Sequence, residues 1–206
     1  MPRLKTYPRS DVSLFYVPKS KSSWMEEFVE YNPPYYTSNR VLNHPSWSDS
    51  ESTEGIKFNQ IDGNINRTSF MGIYDVINGI PRNPKCRTGI KGRGLLGKWG
   101  PNHAVDILIS RLNSRRRVEF LCIIRKDTGK GAFPGGMVDN GETKVQAMIR
   151  EAAEEVLNLK NSDELSRGIS WLERNIPKGI DVFFYVLIIS SFLDMLKTEE
   201  TPTMHG

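Results

Sequence analysis

The sequence has little of what several common chemistries require. It carries two cysteines, Cys86 and Cys122, and three histidines, with no CxxC pair and no His cluster. A zinc site of the usual ligand number is therefore excluded. It lacks a long apolar run: the richest, VFFYVLIISSFL at 182–193, falls short of the roughly 20 residues that a membrane helix needs. That run reads as a buried strand or core helix, and no membrane span is expected. The first residues, MPRLKTYPRSDV, lack the apolar segment of a secretory signal, so the sequon Asn66-Arg67-Thr68 is disregarded. Pro2 and Pro8 also leave little room for an amphipathic targeting helix, so an intracellular chain without a clear targeting peptide is expected. Charge of one sign is in short supply too. Against 28 Lys and Arg stand 24 Asp and Glu, giving net +4 and a pI near 9.0, an excess spread along the chain. This argues against polymeric nucleic acid as the partner and suits a small anionic phosphate compound.

The 206 residues, 38% hydrophobic and 25% charged, suffice for one large domain or two small ones. Residues 1–102 are rich in Pro, Gly, Asn, Ser and Tyr. The pairs Asn32-Pro33, Asp62-Gly63, Asn78-Gly79 and Asn83-Pro84 mark turns, so short strands and ordered loops are expected. Trp24, Phe28, Tyr31, Tyr35, Tyr36 and Trp47 read as local packing. The character changes at Val105. There VDILISRL and VEFLCIIRK read as two strands joined by a basic turn, Asn113 to Arg117. A Gly-rich loop follows, then a helix from Thr143 to about Asn158 with Val145, Ala147, Met148, Ala152, Val156 and Leu157 at near 3.6 spacing. A boundary near Asn102 divides the chain into parts 1–102 and 103–206.

On that helix Glu151 and Glu155 are four apart and Glu154 is three from Glu151, so three carboxylates crowd one edge. Like charges so placed destabilise a bare helix, and either solvent or a divalent cation compensates them. Mg²⁺ suits such a cluster: it takes one or two carboxylates, waters and phosphate oxygens. Neither a serine elbow nor a cysteine–histidine pairing competes for the chemistry.

The spacing around the cluster decides between these readings. Gly136, then Glu142 after five residues, Arg150 and Glu151 after seven, and Glu154 and Glu155 after two resembles the Nudix box. Four further stretches, YPRSDVSLFYVP, EYNPPYYT, GIPRNPKCRTGIKGRGLLGKWGPNHA and RKDTGKGAFPGGMVD, resemble the mitochondrial ADP-ribose pyrophosphatase family. They also resemble the related Nudix-homology domain of the ADP-ribose-gated melastatin-type channel. The likeness runs from about Tyr7 to Asn158. It implies an α+β fold, a Nudix α/β/α sandwich preceded by a small strand-and-loop domain that helps form the substrate cleft. It further implies a monomer that uses Mg²⁺, or Mn²⁺, to hydrolyse ADP-ribose to AMP and ribose 5-phosphate, in the mitochondrion or the cytoplasm.

By the same resemblance Gly136 lets the backbone approach metal and phosphate, and Glu142 and Arg150 pair to hold the box in shape. Glu151, Glu154 and Glu155, with Gly136, supply the metal site, and Arg87, Arg93, Gly135 and Gly136 face the substrate. Read without the family, Arg87, Lys91, Arg93 and Lys98 are solvated loop charges, and His103 a structural histidine. The box departs from its pattern at Leu157, where the family has glycine. After about Leu159 the resemblance stops, and the expectation is a sandwich truncated on its C-terminal side by splicing, by a mistaken gene model or by a genuine truncation.

Overall fold

The computed structural model describes residues 6–43, 45–126 and 128–175, together with the backbone of Phe183–Tyr185. Most of the 182–193 run lies outside the described residues. The chain divides into two compact units, one running to Asn102 and the other beginning at His103.

The first unit is built from short pieces tied by turns, as its composition suggests. It contains strands β1 (Tyr35–Thr37), β2 (Ile61–Asp62), β3 (Ile65–Asn66), β4 (Val76–Ile77), β5 (Ile80–Pro81) and β6 (Lys91–Gly94) and a one-turn helix, α1 (Asn39–Leu42). Strands β4 and β5 form a hairpin whose two turn residues, Asn78 and Gly79, have φ of 51° and 77°. That is the left-handed pair that matches a hairpin's twist, and Asn-Gly adopts it at least cost. Strands β1 and β6 pair in parallel, with a register irregularity between Tyr35 and Thr37. At the irregularity Gly92 has φ of 94°, and a Cβ there would lie 2.5 Å from the Tyr36 carbonyl oxygen, so only glycine fits.

Arginine forms much of this unit's interior. Arg67 and Arg93 are 2% and 1% exposed, beside Trp99, Tyr74 and Val41. The expected aromatic packing is present: Trp24, Phe28 and Tyr31 surround the Arg87 guanidinium at 4.9–5.7 Å, and Tyr36 meets Tyr7 edge-on.

The second unit begins with β7 (Ala104–Leu108), β8 (Ser110–Leu112), β9 (Val118–Phe120), β10 (Ile123–Ile124), β11 (Gly131–Ala132) and β12 (Gly135–Met137). Strands β8 and β9 form the hairpin expected around the basic turn, although each long apolar run is broken into two strands. Helix α2 (Lys144–Glu151) continues as a π-helical turn over Ala152–Val156, and α3 (Ser162–Asn175) follows. The last described strand, β13 (Phe183–Tyr185), and β12 flank β7, both antiparallel to it.

Val105 and Ile107 of β7 pack against Ala147, Met148, Ile149, Ala152, Ala153 and Leu172. Among the described residues, a layer of helices thus covers one face of a three-stranded sheet, which gives the unit its α+β character. The helix occupies nearly the expected span, but its buried stripe differs: Val145 and Leu157 are exposed, and Ile149 and Ala153 are buried.

Helix α3 went unrecognised in the sequence. Its signal is present in Leu165, Ile169 and Leu172, spaced to share a face, and in Asn161, whose side-chain oxygen accepts the Asp163 N–H at 2.9 Å.

Candidate functional site

The carboxylate helix starts at a well-defined point. Thr143 caps it: its hydroxyl accepts the Gln146 N–H at 3.2 Å and its own N–H is accepted by Gln146 Oε1 at 2.8 Å. This reciprocal capping box is written in the sequence as T-x-x-Q and was missed there. The loop ahead of it folds back on itself, with the Asp139 N–H donating to Glu142 Oε2 at 2.9 Å.

Arg150 ties strand, loop and helix together. Its Nε and Nη2 donate to Glu142 Oε1 and Oε2 at 2.9 and 3.0 Å, a two-pronged contact, while Nη2 also donates to the Met137 carbonyl at 2.9 Å. Its Nη1 donates to Glu151 Oε1 at 2.8 Å and lies 3.6 Å from Glu154 Oε2. The pair Glu142–Arg150 therefore forms across loop and helix, and its planar fork is the geometry that only arginine offers a carboxylate.

Glu151 is 8% exposed and packs directly on the strand: a Cβ at Gly136 would lie 2.1 Å from its Oε1. Burial pushes the Glu151 carboxyl up, and the Arg150 hydrogen bond opposes that shift. Glu155 accepts the N–H of the adjacent Gly135 at 2.9 Å through Oε2.

Opposite Gly135 on β7 stands Asp106, whose Oδ1 lies 2.8 Å from where a Gly135 Cβ would be. Burial, and then the charge of Glu155, push the Asp106 carboxyl up. Asp106 is a fourth acid at this edge that the sequence reading did not single out. Its signal was position alone, an Asp at an otherwise apolar strand position.

The expected crowding of Glu151, Glu154 and Glu155 on one edge holds only in part. Glu151 is buried against Gly136, whereas Glu155, on the π turn, is exposed. Among the described residues, no group of three or more His, Cys, Asp or Glu side chains is disposed to hold a metal ion. In this arrangement Arg150 and the Gly135 N–H engage the carboxylates instead. The same turn accounts for Leu157. It keeps right-handed geometry at φ −84° and donates to the Ala152 carbonyl at 3.1 Å, while Asn158 supplies the left-handed exit at φ 54°.

Two residues expected to face the substrate lie within the first unit. Arg87 is 9% exposed, and its Nη2 donates to the Glu26 carbonyl at 2.8 Å and Nη1 to the Lys21 carbonyl at 2.9 Å and to the Ser23 carbonyl. Arg93 donates to the Asp49 and Gly97 carbonyls at 2.6 and 3.0 Å and to Glu51 Oε2 at 2.7 Å, 5.1 Å from the Trp99 ring centre. Both guanidiniums organise the interior of the first unit. His103 is buried, and its carbonyl accepts the Val138 N–H at 2.9 Å.

Residues 17–100 match the NUDT9-like N-terminal domain, and residues 101–203 match the NUDIX domain. A curated relative, "Putative nudix hydrolase 6" of Caenorhabditis elegans, is 39% identical over 200 residues, covering 91% of this chain and 76% of its own length. The chain belongs to the Nudix family.

The Nudix match runs on to residue 203, through the stretch after Leu159 where the motif-by-motif resemblance stops. "ADP-ribose pyrophosphatase, mitochondrial" of Rattus norvegicus is 44% identical over 172 residues, covering 76% of this chain and 49% of the rat protein. "Transient receptor potential cation channel subfamily M member-like 2" of Nematostella vectensis is 36% identical over 200 residues, covering 88% of this chain and 13% of the channel. The chain thus spans about half the length of the rat relative and a small part of the channel. Among the described residues of this Nudix protein, no helix is long and apolar enough to cross a membrane.

Proposed function

We propose that the protein hydrolyses the diphosphate of ADP-ribose to AMP and ribose 5-phosphate in a Mg²⁺-dependent reaction, in the mitochondrion or the cytoplasm. The observation that carries this is the Arg150 clamp. It closes on Glu142, Glu151 and Met137 and holds Glu151 beside the glycine strand β12. The rat relative's name supplies the substrate.

The donor chemistry of the edge suits Mg²⁺, since the groups on offer are carboxylate and main-chain oxygens with no thiol or imidazole among them. Glu151, Glu154 and Glu155, with the Gly136 main chain, are the residues that would hold it. Bound there, a divalent cation would neutralise phosphate oxygens and lower the pKa of water. The protein's own part is to place carboxylates and exclude side chains. Gly135 and Gly136 let Asp106 and Glu151 pack against the strand, Glu142 fixes Arg150, and Arg150 fixes Glu151. Glu154 and Glu155, the more exposed acids, orient the attacking water and accept its proton. Asp106, opposite Gly135, is a further acid at the strand, its carboxyl pushed up by burial and then by the charge of Glu155.

Incubation of the purified chain with ADP-ribose and Mg²⁺ should release AMP, and excess chelator should abolish that release. Full activity in chelator would remove the metal from the reaction. A second reading is a module that binds ADP-ribose without cleaving it. It is favoured by the absence of a converged three-acid group among the described residues, and saturable ADP-ribose binding without AMP would establish it.

Gly136→Ala tests the clamp more narrowly. The new methyl collides with the end of the Glu151 side chain rather than with backbone, so the fold should persist while the carboxylate is displaced by about an ångström. Turnover should fall on the order of a hundredfold, with a melting temperature within a few degrees of wild type. A variant with normal kcat would show that Glu151 need not sit against the strand.

A further inference from the structure

The two hairpins that follow β7 carry a charge the mechanism does not use. Between Arg111 and Lys130 lie seven Lys and Arg against two acids, Glu119 and Asp127, an excess larger than the net +4 of the whole chain. At the tip of the first hairpin Arg115, Arg116 and Arg117 are consecutive and exposed. Their turn is rigid: Asn113 Oδ1 accepts the N–H groups of Arg115 and Arg117 at 2.9 and 3.0 Å, and Arg116 holds φ of 58°. Asn113 Nδ2 in turn donates to Glu119, which also pairs with Arg111 at 2.9 Å. The acid within the hairpin is thus spent on its base, leaving the tip uncompensated by it.

The strand register sorts the remaining side chains. Leu112 faces Val118 and Ser110 faces Phe120 across the ladder, while Arg111 pairs with Glu119 on the opposite face. One face therefore presents Leu112, Val118 and Phe120, each more than half exposed, directly beneath three arginines. Phe120 meets Phe133 edge-on at 6.5 Å, which joins this face to the second hairpin. There exposed Ile124 is followed by exposed Lys126.

We infer that this face docks on the anionic headgroup surface of a phospholipid bilayer. Rigidly held guanidiniums meet the phosphates, and Leu112, Val118, Phe120 and Ile124 enter the boundary between headgroups and acyl chains. The chemistry selects this partner over two others. A second copy of the chain would bring one arginine tip against another. Nucleic acid would engage the arginines but leave the aliphatic Leu112 and Val118 without a partner, since bases stack on aromatic rings. The inference stands apart from the hydrolytic reading.

Flotation of the full chain with vesicles tests it. The protein should float with phosphatidylcholine–phosphatidylserine vesicles and not with phosphatidylcholine alone, and added salt should release it. Combined Arg115→Gln, Arg116→Gln and Arg117→Gln should weaken partitioning on the order of a hundredfold. The corresponding triple Arg→Lys variant should retain it, and Leu112→Ser with Val118→Ser should weaken it at unchanged salt sensitivity. All of these positions are exposed, so melting temperatures should match wild type, and release of AMP should be unaffected. Absence of flotation, equal flotation with neutral vesicles, or full flotation of the triple Gln variant would overturn the inference. Binding of a single-stranded RNA oligonucleotide without vesicle binding would also overturn it, by assigning the arginines to nucleic acid.

Discussion

Glu151→Gln and Glu155→Gln should each lower ADP-ribose turnover by about two to four orders of magnitude while moving the melting temperature by only a few degrees. Both changes conserve size and keep an oxygen in place. At position 151 the amide oxygen can still accept from Arg150 Nη1, and the loss of a buried charge offsets the weaker contact. At position 155 the amide oxygen can still accept the Gly135 N–H at the surface. The fold therefore loses little. Catalysis loses a formal charge at the point where a cation and a diphosphate must meet, and Glu142, committed to Arg150, does not replace it. The measurement is kcat at saturating ADP-ribose with Mg²⁺ present, beside a thermal melt of each variant. Normal turnover by both would mean that the acidic edge is simply solvated.

How the carboxylate helix is built was partly legible in the sequence, for a local reason. Glu142 and Arg150 are eight residues apart, and the loop and first helical turns that bring them together are short, capped by Thr143 and closed on Asp139. Spacing therefore carried most of the geometry. What it could not carry was the π turn at Ala152–Val156. One hydrogen-bond step longer than an α turn leaves no mark in a stretch this short.

The surroundings of Arg87 and Arg93 were not legible, for the opposite reason. In a glycine-rich segment they look like a phosphate cradle, yet their partners lie 42 to 66 residues away at Lys21, Ser23, Glu26, Asp49 and Glu51, apart from the nearby Gly97. A local pattern cannot show that donors are consumed by distant carbonyls. The same holds for β13. The 182–193 run announced burial, but only the register Phe183↔Leu108 through Tyr185↔Asp106 shows that three of its residues extend the sheet beside β7.

Arg67→Met should destabilise the first unit by about 3–5 kcal/mol, a loss large enough to unfold it at moderate temperature. The Arg67 side chain is 3% exposed and Asp49's is 8%, and the two are joined twice, at 2.7 and 3.2 Å. Arg67 further donates to Asp62 at 2.8 Å and to the Trp99 carbonyl at 2.9 Å, while Asp49 accepts the Trp99 N–H at 2.7 Å. Methionine keeps most of the apolar stem and removes every donor. Asp49 is then a buried carboxylate with only a backbone N–H to satisfy it, and the cost of that isolated charge exceeds the worth of the pair itself. Adding Asp49→Asn should recover part of the loss, because a neutral amide still accepts from Trp99 and no longer needs a cation. Tryptophan fluorescence reads the outcome in the right place, since Trp24, Trp47 and Trp99 all lie in the first unit and only Trp171 in the second. An unchanged midpoint for Arg67→Met would show that the buried guanidinium contributes no net stability. A double variant no better than the single one would show that packing, rather than the stranded charge of Asp49, sets the cost.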